Sequence, residues 1–107
     1  GMVLLAKRIE NDDRKHFAVM DIAVRRNAYG RQLGSFMTTG DFAGMGDIPM
    51  SFIRAPYISS AGKDVVVLSS EDGAITAARE ANMLVTSFHP EVTDDLTVHS
   101  YFLSMIP

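Results

Sequence analysis

The chain has 107 residues and no cysteine, with 47% hydrophobic residues, 13 acidic against 10 basic side chains and a formal charge of -3 at pH 7. That length fits one domain with apolar side chains enough for a core, which excludes disorder throughout, and an acidic balance without a Lys/Arg-rich tail argues against general nucleic-acid binding. Without cysteine the residues form no disulfide or thiolate metal site, and no apolar run approaches the about 18 residues that cross a bilayer, so a soluble cytoplasmic protein without a signal peptide is expected.

In chain order, Val3, Leu4, Leu5 and Ile9 followed by the polar run Glu10 to Lys15 predict a helix from Met2 to about Ile9. No Ser, Thr, Asp or Asn precedes it as a cap, so the helix reads as cut off at its start. Phe17 to Val24, FAVMDIAV, is a nearly continuous apolar run and predicts a strand covered on both faces. Arg25 to Gln32, RRNAYGRQ, carries three arginines among turn formers and predicts a functional loop. Ser35 to Phe42 and Pro49 to Arg54 read as short strands around the glycine-rich turn Gly40 to Gly46.

Val65 to Ser69, Ala74 to Ala78 and Met83 to Phe88 are three further strand candidates, with Glu71-Asp72-Gly73 as the hairpin turn between the first two. A final helix follows, with Thr93 as N-cap, Asp94 and Asp95 at the positive end of its dipole, and Leu96, Tyr101, Phe102 and Met105 as the buried face. The class is α/β, in one domain, with too few helices to cover both faces of a sheet. The seven methionines are expected to fill core gaps.

The chemistry-bearing stretch is Ser-Phe-His-Pro-Glu at 87 to 91, just past a predicted strand, where open α/β sheets place their sites. A general base needs an imidazole held in one tautomer by a carboxylate, and His89 and Glu91 offer that pair. The bland alternative for His89 is a surface turn histidine. The arginines of 25 to 32 offer paired hydrogen bonds to a carboxylate, or else form a solvated loop. Arg54, in the apolar setting FIRAP, needs a partner and is read as structural or lining a site. A metal site from His89, Glu91, Asp94, Asp95 and His99 is the weaker reading, because helix capping already explains the aspartates. P-loop, Rossmann, serine-elbow and zinc-protease motifs are all absent from the sequence, and His16 sits in a polar run.

RRNAYGRQ, FIRAP and SFHPEVTDD, in this order and at these separations, resemble the glutaminase subunit of pyridoxal 5'-phosphate synthase, the PdxT/SNO family of class I glutamine amidotransferases. The resemblance runs along the whole chain. It implies part of a flavodoxin-like three-layer α/β domain lacking its N-terminal strands, with residues 1–107 as the C-terminal portion of a single glutaminase domain. It also implies hydrolysis of L-glutamine to glutamate and ammonia by a cysteine, histidine and glutamate triad, the ammonia passing to a synthase subunit that builds vitamin B6.

By that resemblance His89 is the general base and Glu91 its orienting carboxylate, while Arg26, Ile53 and Arg54 contact the glutamine. No cofactor and no metal are implied, and the partners are L-glutamine and the synthase subunit of PdxS/SNZ type, with no nucleic acid or membrane. The family's nucleophile lies in a Gly-Thr-Cys-Ala-Gly-Met turn whose last two residues align with Gly1-Met2, so the expected cysteine position is two before Gly1. The chain by itself is therefore expected to be inactive. Two other readings stay open: a non-catalytic module that binds a partner or self-associates through an unpaired apolar strand edge, and a subunit of another class I glutamine amidotransferase.

Overall fold

A computed structural model of the chain describes residues 2–10, 17–25, 35–53, 55–71 and 73–106. Two sheets carry the architecture, a mixed α/β fold with few helices. The larger is six-stranded and runs in the order β1 (Ala6–Ile9), β2 (Met20–Arg25), β5 (Tyr57–Ala61), β7 (Ala74–Glu80), β6 (Val66–Glu71), with β8 (Met83–Thr86) also pairing β7. The smaller pairs β3 (Ser35–Asp41) with β4 (Asp47–Ile53). Among the described strands only β1 and β2 run parallel.

Strand β2 ends at Arg25, the first residue of the arginine-rich stretch RRNAYGRQ. Ile22, Ala23 and Val24 are buried in succession, as a strand covered on both faces requires. It is shorter than the apolar run, because Phe17 and Val19 stand 67% and 48% exposed before it. The predicted helix over 2–9 is corrected more sharply: helix α1 spans only Met2–Leu5, and Ala6–Ile9 is β1. Ala6 and Ile9 are buried and Lys7 and Arg8 are not, while Ala6, Arg8 and Ile9 pair with Met20, Ala23 and Val24 of β2. Pairing satisfies the backbone groups of residues 6–9 against a buried strand, and this tertiary gain overrides a helix too short to sustain itself.

The β3–β4 hairpin keeps one register along its length, from Ser35 opposite Ile53 to Asp41 opposite Asp47. Its turn is held by the Asp41 carboxylate, which accepts the N–H groups of Gly44 at 2.9 Å and Gly46 at 3.0 Å. Gly44 and Gly46 take φ of +74° and +106°, where a side chain is strained, which is why glycines stand there. The two sheets are stitched together by Ser69 Oγ donating to the Asp41 carbonyl and Ala43 N–H donating to the Leu68 carbonyl, each at 2.7 Å. Strand β5 falls in a stretch that the sequence reading left without an element. Its YISSA sequence buries Ile58 alone, and its place is set by β2 alongside.

Two cores result. One gathers Met2, Met20, Ile22, Val24, Ile58 and Val85 around the β1–β2–β5 region. The other gathers Phe42, Met50, Phe52, Leu68, Phe88 and Val98 between the hairpin, β6 and the C-terminal segment. Helix α2 spans Thr97–Ser104 and starts later than the sequence predicts. Thr93 Oγ1 donates to the Pro90 carbonyl at 3.0 Å and accepts the Asp95 N–H at 3.4 Å, while Asp95 Oδ1 accepts the Thr97 N–H at 2.9 Å and Leu96 stands at the N-cap. Its buried residue is Val98, with Tyr101 and Met105 half-buried, whereas the predicted core residues Leu96 and Phe102 are 68% and 43% exposed.

Candidate active site

The chain leaves β8 through Ser87 and Phe88 and enters a single turn of 3-10 helix at Pro90–Val92, with His89 at its N-cap. Proline has no N–H for the ladder and a φ preset for the first helical position, so the strand stops and the turn begins at Pro90. Each residue of this bend is tied down. Thr86 Oγ1 donates to the Phe88 carbonyl at 2.8 Å, Ser87 N–H to the Thr76 carbonyl of β7 at 2.7 Å, and His89 N–H to the Ser51 carbonyl of β4 at 2.8 Å.

Beneath the bend the Phe88 ring is buried and meets Phe52 edge-on at 5.8 Å, and Phe52 stacks on Phe36 at 4.9 Å. The backbone of His89 is therefore fixed from both sheets, with an aromatic column as its floor. Ser51 contributes only its carbonyl, so no side-chain signal could have flagged it in the sequence.

The imidazole and carboxylate of the HPE stretch are in contact: His89 Nδ1 and Glu91 Oε2 are 2.7 Å apart. An ionised carboxylate only accepts, so the ring donates from Nδ1, and in the neutral imidazole Nε2 keeps its lone pair. Glu91 is held below its ordinary carboxyl range, first by this hydrogen bond and then by its own backbone N–H, with the charges of His89 and His99 adding to the effect. The side chains of His89 and Glu91 are 44% and 58% exposed, so the contact contributes orientation rather than much stability. What the arrangement offers chemically is a proton acceptor at Nε2, oriented from behind and open to a reacting group.

Ile53 ends β4, two residues beyond Ser51, and is 45% exposed. Arg26 and Arg54 lie outside the described residues. Of the weaker metal set, Asp95 is engaged with the Thr97 N–H, and among the described residues no three His, Asp or Glu side chains converge on a point where an ion would sit. The sequence reading also passed over two buried hydroxyls opposite each other next to the bend. Thr76 Oγ1 and Ser87 Oγ are enclosed and have no hydrogen-bond partner among the described residues. Among the described residues no helix is long and apolar enough to cross a membrane.

Over residues 1–107 the chain matches the model of the SNO glutamine amidotransferase family. It is 57% identical over 105 residues to the pyridoxal 5'-phosphate synthase subunit PdxT of Streptococcus pneumoniae (strain CGSP14), covering 98% of this chain and 54% of that protein. The subunit of the same name from Haemophilus influenzae (strain PittEE) is also 57% identical, with 98% of this chain and 55% of the relative covered. A crystal structure of a glutamine amidotransferase superposes with a TM-score of 0.91 at 37% identity, covering 98% of this chain and 56% of that one. The chain thus spans about half the length of the curated relatives it matches.

Proposed function

The chain belongs to the SNO glutamine amidotransferase family, and from that premise we propose that it is the histidine- and glutamate-bearing portion of a glutaminase that serves pyridoxal 5'-phosphate synthesis. The reaction is hydrolysis of L-glutamine to glutamate and ammonia, with the ammonia handed to a synthase subunit of the PdxS/SNZ type. The observation that carries this reading is the 2.7 Å contact between His89 Nδ1 and Glu91 Oε2 at the end of β8. It also rests on the relatives' names, which are those of pyridoxal 5'-phosphate synthase subunits.

In the proposed mechanism His89 Nε2 takes the proton of a thiol, and the thiolate adds to the side-chain amide carbon of glutamine. The imidazolium then returns the proton to the departing nitrogen, the C–N bond breaks and ammonia leaves a thioester. A water molecule, deprotonated by the same Nε2, cleaves the thioester to glutamate and restores the thiol. Glu91 keeps Nδ1 protonated and offsets the imidazolium charge in both halves of the cycle. Arg26, Ile53 and Arg54 are proposed to hold the glutamine, the arginines through its α-carboxylate and Ile53 beside the site at the end of β4. The 107 residues contain no cysteine, so the thiol comes from outside them and the chain alone is proposed to be inactive.

The experiment is glutamate release from L-glutamine by the chain alone, and by the chain co-expressed with the part of the Streptococcus pneumoniae relative that it does not match. Turnover in the second sample alone is the expected result. Turnover in neither, from a folded complex, would remove the glutaminase reading.

A further inference from the structure

The His89 side chain is too open to solvent for packing to lock its ring. Its direction has to come from the backbone that carries it and from Glu91. A catalytic base works only when it is held within about 0.5 Å of its productive place, so whatever fixes that backbone governs the chemistry.

The peptide that joins Phe88 to His89 is held at both ends. Its carbonyl accepts Thr86 Oγ1 at 2.8 Å, and its N–H donates to the Ser51 carbonyl of β4 at 2.8 Å. On the far side the His89 carbonyl accepts the Val92 N–H at 3.3 Å, and Pro90 has no N–H to hold. With these groups fixed, His89 stands at φ -107° and ψ 91°, and its ring meets Glu91 through Nδ1. Rotation of the Phe88–His89 peptide would swing the Cα–Cβ bond of His89 and carry Nε2 away with it.

Among the described residues Ser51 and Val92 contribute backbone groups to this hold, and Thr86 contributes a side chain. Thr86 is the last residue of β8, opposite Ala77 of β7, and in the sequence it reads as one more strand residue of MLVTSF. Its β-branched shape suits a strand, and valine would serve that purpose equally well. The hydroxyl is what valine lacks, and here it reaches two residues along the chain to the peptide of the base.

We infer that Thr86 is a positioning residue for His89: its hydroxyl, clamping the Phe88 carbonyl while Ser51 holds the His89 N–H, sets the direction of the imidazole toward Glu91 and toward the reacting group. The inference deepens the glutaminase reading and rests on it for its catalytic consequence.

The test compares wild type, Thr86→Val, Thr86→Ser and Ser69→Ala. Ser69→Ala is the structural control, because its Oγ also donates to a backbone carbonyl, that of Asp41 at 2.7 Å, in a bond that joins the sheets rather than the bend. Glutamine hydrolysis is measured in the co-expressed pair of polypeptides, and the tautomer of His89 by nitrogen NMR of the chain alone. Thr86→Val should lower kcat about ten- to a hundredfold, as expected for a misplaced base. KM should stay within about twofold, because substrate binding is untouched. The same variant should lose the single Nδ1–H tautomer, and Thr86→Ser and Ser69→Ala should match the wild type in both measurements. An unchanged kcat and tautomer in Thr86→Val, equal losses in Thr86→Ser, or an equal loss of kcat in Ser69→Ala would overturn the inference. Absence of turnover in the wild-type pair would remove the glutaminase reading, while the tautomer would still decide whether Thr86 orients His89. If Thr86→Val does not fold, the wild-type chain decides: a Thr86 hydroxyl proton sheltered from exchange supports the clamp, and one in free exchange with water overturns it.

Discussion

His89 donates from Nδ1 to Glu91 Oε2 across 2.7 Å, two residues apart and on either side of a proline that turns the chain. The contact holds the Glu91 carboxyl below its ordinary value of 4.5. A carboxyl whose pKa falls on folding adds stability that is present above the unfolded value and is lost as pH drops through the folded one. In the His89→Ala variant the Glu91 titration midpoint should therefore move up toward 4.5, and the stability-versus-pH curve should flatten on the acid side. Carboxyl-carbon NMR of Glu91 follows the midpoint, and an unchanged value would mean that the pair is not formed in solution.

Phe52 ties the hairpin to the bend that carries His89. It is fully buried, stacked on Phe36 and edge-on to Phe88. Phe52→Ala should destabilise the chain by about 3–5 kcal/mol in urea unfolding. It should also loosen the His89 N–H, which is held by the Ser51 carbonyl next door, and amide hydrogen exchange at His89 reads that directly. A loss below about 1 kcal/mol would place Phe52 outside the core.

Thr76 and Ser87 present the opposite case, since each encloses a hydroxyl without a partner among the described residues. Removing a buried group that makes no hydrogen bond lifts a desolvation cost. Thr76→Val and Ser87→Ala should therefore leave stability unchanged or raise it by about 1 kcal/mol, measured by thermal unfolding. A clear loss from either would reveal a bond made by these hydroxyls in solution.

How much of this was legible in the sequence follows from how local each feature is. The HPE bend was readable because its cause is local: proline ends the strand and sets the turn, and imidazole and carboxylate sit two residues apart. Strands β3, β4, β6, β7 and β8 were readable because alternating or apolar runs lie between turn residues, among them Gly73 at φ +83°. Residues 6–9 were misread because their helical pattern is local while their strand depends on β2, which is fixed from a distance. Strand β5 escaped for the same reason, its Ser59 and Ser60 giving no apolar signal. The start of α2 was misplaced because the Thr93 oxygen accepts the Asp95 N–H in a turn ahead of the helix, which itself begins at Thr97 with Leu96 at the N-cap and no side-chain cap bond. Within the candidate site, the hold on His89 from Ser51 is a backbone contact and leaves no mark in the residue types.

The central claim is that His89 is the base of a glutaminase whose thiol lies outside these residues. The direct measurement is kcat/KM for glutamine hydrolysis by the co-expressed pair of polypeptides, comparing wild type, Glu91→Gln and His89→Ala. Members of a triad act as a unit, so His89→Ala should lose at least about a thousandfold, and Glu91→Gln less, with the complex intact in each case. A His89→Ala complex that hydrolyses glutamine at the wild-type rate would contradict the account.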